Sequence, residues 1–133
     1  MANSINPNWK AAIMQASANS ALTGNIKVAL LAASHGYLDS KTFISELTTA
    51  NIVIRSGNLA GKTFTGRTFD ADDISIANVT GSQVVALLIY VDTGSDATSR
   101  MVAFFDTGVG GLPVTPNGGA INLTWDAAGI FDL

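Results

Sequence analysis

The chain has 133 residues, enough for one domain with one sizeable core. Its net charge of -3 leaves no basic footprint for nucleic acid, and the absence of cysteine removes disulfides and thiolate sites. Apolar residues make up 47% and charged residues only 13%, so the chain is expected to bury surface against partners as well as within itself. No apolar run approaches the length of a membrane span, and the polar opening MANSINPNWK has no signal-peptide character, which predicts synthesis in a cytoplasm and no membrane partner.

The first predicted element is a helix. Asn6 can cap it, Pro7 suits its first position, and Trp9, Ile13 and Ala16 share one face at helical spacing, with Gly24 as a stop. Such a helix either packs on its own sheet or serves as an arm to a neighbouring subunit. The division expected here is a single domain over 1–133. Residues 1–23 form an N-terminal helix or arm docking on a partner, and residues 24–133 form a β body with Trp125 in its core.

IKVALLAAS (26–34) reads as a buried strand. The stretch after it breaks the β pattern, and its middle, near Thr42 to Leu47, predicts a short helix capped by Asp39 or Ser40. From there the texture is β. NIVIRS, KTFTGRTF, ISIANV, QVVALLIYVD, RMVAFFD, AINLTWD and IFDL follow at short spacing, separated by Gly, Asn, Asp and Pro. Val84 to Val91 is apolar throughout, which predicts a central strand covered on both faces. Ile121, Leu123 and Trp125 alternate with polar residues, as in a half-buried strand. Nine of the ten acidic residues are aspartate and Glu46 is the sole glutamate, a bias towards turns over helices. The fold class is therefore mainly β: an antiparallel β-sandwich or small barrel of about seven or eight strands, with an N-terminal helix and one short inserted helix.

Four stretches carry the spelling of chemical sites. Asp-Thr-Gly occurs twice, at Asp92 and Asp106, and an aspartic protease presents its paired carboxylates in such a motif. The two are 14 residues apart, however, too close for two lobes and well suited to opposite ends of one hairpin. There the motif would only end strands, with Gly supplying a positive φ. A dimeric protease using Asp92 alone is a remote alternative. SGNLAGKTF (56–64) approaches a phosphate-binding loop, but Ser56 stands where glycine is needed and β-like sequence follows where a helix N-terminus should be. Asp70, Asp72 and Asp73 cluster without the distal carboxylate of a calcium loop, so a turn with at most weak calcium binding is expected. His35 is the only histidine, at a strand end and with no nucleophile elbow in the chain. No catalytic, cofactor-binding or metal residue is assigned, and the chain is not expected to be an enzyme.

The segments GKTFTGRTFDADDISIANVTG, ALLIYVDTGSDATSRMVAFFDTG and LPVTPNGGAINLTWDAAGIFDL, preceded by GNIKVALLAASHGYLDSKTFISEL, are similar in their order to a family of small bacteriophage virion structural proteins. The resemblance covers most of the chain and brings no catalytic residues. It implies a capsid decoration (cement) protein on the virion surface, made in the host bacterial cytoplasm. Its implied partners are the major capsid protein and further copies of itself as a dimer or trimer. A neck or tail structural protein or a receptor-binding module is the alternative.

Overall fold

The fold was analysed in a computed structural model, which describes residues 3–9, 24–65 and 68–132. Among these, ten strands form antiparallel sheets in a sandwich-like arrangement that does not close into a barrel. They are β1 (Ser4–Ile5), β2 (Asn25–Leu31), β3 (Ile52–Arg55), β4 (Thr63–Thr65), β5 (Thr68–Asp70), β6 (Ile74–Ile76), β7 (Ala86–Asp92), β8 (Met101–Phe105), β9 (Ile121–Leu123) and β10 (Phe131–Asp132). The largest sheet has five strands in the order β1-β8-β7-β2-β3, beside a three-stranded sheet β10-β5-β4 and the pair β6-β9.

β7 is the middle strand of the five, and residues Ala86 to Val91 are all buried. Side chains alternate across a strand, so an uninterrupted apolar run needs a cover on each face. On one face Leu87, Ile89 and Val91 join Ile26, Val28 and Leu30 of β2, packing with Phe69, Ile76, Leu123 and Phe131 from the small sheets. On the other, Ala86, Leu88 and Tyr90 join Ala29, Leu31, Met101 and Phe104 beneath Leu38, Ile44 and Leu47 of the β2–β3 connection. Two bulges keep these faces in phase. Val102 is the extra residue where the β7–β8 register shifts, and Val53 is its counterpart between β2 and β3. Val102 with Ala103, and Val53 with Ile54, thus all serve the first core.

The short inserted helix is a single 3-10 turn, Ile44–Glu46, and its capping differs from expectation. The Glu46 carboxylate accepts the Thr42 and Phe43 N–H groups at 2.7 and 2.8 Å, whereas Asp39 accepts the Ser4 hydroxyl at 2.7 Å. A capping carboxylate three residues into the turn can reach back over one turn; Asp39 lies too far upstream. A second 3-10 turn, Thr49–Asn51, leads into β3.

The N-terminal segment begins as expected and docks on the chain's own body. Residues 7–9 are helical, and Asn6 Oδ1 accepts the Trp9 N–H at 3.0 Å. β1 pairs with β8, a strand that the amino-acid pattern did not suggest. Trp9 is 2% exposed and packs edge-on against Phe131 with ring centroids 5.8 Å apart. Of the two expected placements, residues 3–9 take the one on the chain's own body, where a two-residue strand and an indole anchor them. Ile13, Ala16 and the rest of the expected helix lie outside the described residues.

The same segment holds the outer cover. Asn6 Nδ2 donates to the Lys41 carbonyl at 2.8 Å and Asn8 Nδ2 to the Thr42 hydroxyl at 2.8 Å. Trp125, expected in the core, is only half-buried at its edge, near Phe105 and with its indole N–H donated to the Asp72 carbonyl at 3.1 Å. An indole needs a partner for its N–H, which favours such an edge position.

Trp9→Ala is accordingly expected to cost ~3–5 kcal/mol in a denaturant titration, as for a buried aromatic. Trp125→Ala should cost less, about 1–2 kcal/mol. The reverse ranking would show that Trp9 lies outside the core.

Candidate functional site

The β7–β8 hairpin separates the two Asp-Thr-Gly motifs. β8 pairs Phe105 with Leu87, so Asp106 lies at the Ala86 end of β7 while Asp92 lies at the other, about 20 Å away by strand rise. Asp92 Oδ1 accepts the Gly94 N–H at 3.0 Å and its other oxygen pairs with Lys27 at 2.7 Å. At the far end the Asp106 and Thr107 N–H groups donate to Asn3 Oδ1 at 2.7 and 3.1 Å. Gly94 and Gly108 turn the chain with φ of 90° and 76°, in the left-handed region that glycine enters without a Cβ penalty. Both motifs end strands, and the two carboxylates do not face each other.

The remaining stretches are likewise taken up in local structure. Ser56 is buried; its hydroxyl accepts the Val28 N–H at 2.9 Å and donates to the Gly57 carbonyl at 2.7 Å. Lys62 donates to the Gly24 carbonyl, and strand β4 follows it in place of a helix. This loop extends β3 along β2, with the Leu59 N–H donating to the Ile26 carbonyl at 2.7 Å. Asp70 accepts the Ala71 N–H at 2.9 Å, and Asp73 accepts the Trp125 N–H at 3.0 Å. No group of three or more potential metal ligands occurs among the described residues. His35 sets its ring against Phe104 with centroids 4.9 Å apart, and Nδ1 lies 2.7 Å from the Gly36 carbonyl oxygen.

The structure does assemble one polar site that the chain pattern did not single out. Lys27 and Tyr90 are register partners, and Arg55 pairs with Ala29, so all three share the outer sheet face beyond the Leu38–Leu47 cover. Arg55 makes a two-pronged bond to Asp96 at 2.7 and 2.8 Å and lies 5.7 Å from the Tyr90 ring centroid. Asp96 belongs to the β7–β8 loop, whose carbonyl at Asp96 also accepts the Ser45 N–H at 3.2 Å. Ser99, fully buried, donates to the Ser95 carbonyl at 2.8 Å and accepts the Thr93 N–H at 3.1 Å. The row thus ties the hairpin loop to both β3 and the outer cover. Alternation along β2, where Lys27 interrupts apolar residues, is the signal that could have revealed it.

Electrostatics follow from these partners. The hydrogen bond from Lys27 chiefly holds the Asp92 carboxyl below its ordinary pKa, helped by the Gly94 N–H, and Asp92 in turn raises Lys27. Arg55 lowers Asp96, and the Phe43 and Thr42 N–H groups lower Glu46. Burial raises Tyr90 against the opposing influence of Arg55. These are positioning charges, each satisfied by a fixed partner.

Away from this row, at the Asp106 end of the hairpin, an open cleft of about 360 Å³ lies where Asn3, Phe105 and Thr107 face Gly129 to Asp132 across the sandwich seam. No protein-family model and no curated protein matches the chain.

Lowered carboxyl pKa values contribute stability that is complete above the unfolded value near 4 and is lost as pH falls through the folded value. Unfolding free energy should therefore hold steady down to about pH 5 and decline below about pH 4. Asp92→Asn is expected to cost about 0.5–1 kcal/mol at neutral pH and to make the acid decline shallower. An acid limb unchanged in Asp92→Asn would rule out the Lys27 pairing. At acidic pH the wild type should show no pepstatin-sensitive hydrolysis of unfolded protein; cleavage abolished by Asp92→Asn would reverse the strand-end reading.

Proposed function

We propose that this protein is a bacteriophage capsid decoration protein, binding the outer shell through contacts with the major capsid protein and stabilising it without catalysis. The reading rests on the resemblance, in order, of the segments from the β2 region to β10 to small phage virion proteins. Further support comes from how the chain spends its polar groups. The Asp92, Asp70 and Asp73 carboxylates hold turning backbone, Arg55 holds the β7–β8 loop through Asp96, and Lys27 holds the end of β7 through Asp92. A cement protein asks for this kind of construction: a rigid β body whose loops are fixed before binding, so that little ordering entropy is lost on docking. Repetition over the shell then stabilises the capsid by mass action.

As a decoration protein, the chain should be present at on the order of hundreds of copies per particle, because cement sites repeat with shell symmetry. Quantitative densitometry of purified virions against the major capsid protein reads this directly. Only a few copies per particle would transfer the protein to the neck or tail, and its absence from virions would end the virion reading altogether.

A further inference from the structure

The edges of the two larger sheets are unequally protected. β1 and β10 hold two residues each, and β3 is broken by its bulge at Val53. β4 is one residue longer than β1 and β10 and carries no bulge. It is the outermost strand of its sheet, and Thr63, Phe64 and Thr65 are all exposed. Phe64 is the register partner of Phe69, which in turn is the register partner of Phe131, so the three phenylalanines form one row across the sheet. Phe69 and Phe131 stack with centroids 5.0 Å apart and are buried, while Phe64, at the end of the row, is 39% exposed.

We propose that β4 pairs edge to edge with β4 of a second copy of this chain, antiparallel and centred on Phe64. The occupant follows from the strand itself. Thr-Phe-Thr reads the same in both directions, so a two-fold axis through Phe64 sets Phe64 opposite Phe64 and each Thr63 opposite the other copy's Thr65. An aromatic pair and two threonine pairs are among the cross-strand combinations that stabilise antiparallel sheets, and no charge faces a like charge in this register. Pairing joins the two three-stranded sheets into one of six strands and covers the exposed end of the phenylalanine row. Three residues make a small interface, so the contact is weak in dilute solution and gains occupancy where copies are concentrated. The inference does not depend on the proposed virion role.

The native chain has no cysteine, which permits a test specific to register. Thr63→Cys and Thr65→Cys variants, one carrying an affinity tag, are mixed and oxidised, and disulfide dimers are counted. Directly opposed strand residues lie within disulfide reach in either kind of antiparallel pair. Mixed Thr63–Thr65 dimers should form about tenfold faster than either like dimer and than dimers of the exposed control Tyr37→Cys, as expected for a raised effective concentration. Adding Phe64→Lys to both partners should remove that advantage while leaving far-ultraviolet circular dichroism unchanged. Equal rates for mixed and like dimers, or an advantage that survives Phe64→Lys, would overturn the proposal.

Discussion

The apolar middle strand β7 sets the terms for everything around it. A strand with no polar face cannot lie against water on either side, so the chain must supply two covers for one sheet. The first is orthodox: strands of the smaller sheets close over Leu87, Ile89 and Val91. The second is a connection with almost no regular structure, which lays Leu38, Ile44 and Leu47 over Leu88, Tyr90 and Phe104. Each buried side chain of this size contributes roughly 1.5–3 kcal/mol, so neither cover is dispensable.

An irregular cover has backbone polar groups to satisfy, and this explains much of the polar chemistry. Asn6 and Asn8 bond its Lys41–Thr42 stretch from one side. Glu46 caps its turn from within, and the β7–β8 loop receives the Ile44 and Ser45 N–H groups at the Ser99 and Asp96 carbonyls. Arg55 then fixes that loop through Asp96. Asn6, Asn8, Glu46, Arg55 and Asp96 are in this way committed to holding loops.

Much of this was legible in the chain. The run from Val84 to Val91 announced a doubly covered central strand, and Asn6–Pro7 announced a helix start, because both signals are local. The spacing of the two Asp-Thr-Gly motifs placed them at opposite hairpin ends. What escaped depends on long-range partners. Ile44 and Leu47 have helical spacing but Leu38 lies outside it, so nothing nearby reveals that the three share a lid. Trp9 and Trp125 are equivalent by type, and only β1–β8 pairing and Phe131 decide which one is interior. Arg55 and Asp96 lie 41 positions apart and meet only after both bulges have set the faces in phase.

The claim that one strand demands two covers is tested most directly by native-state hydrogen exchange resolved to single amides. The Ile44 and Met101 amides, which donate to the Ser99 and Thr42 carbonyls, join cover to sheet. They should exchange with the same opening free energy as Ile89 and Leu88 at the centre of β7, because removing the cover exposes the sheet core. Exchange of Ile44 and Met101 through a low-energy local opening, with β7 still fully protected, would show that the outer cover is an accessory and contradict the account.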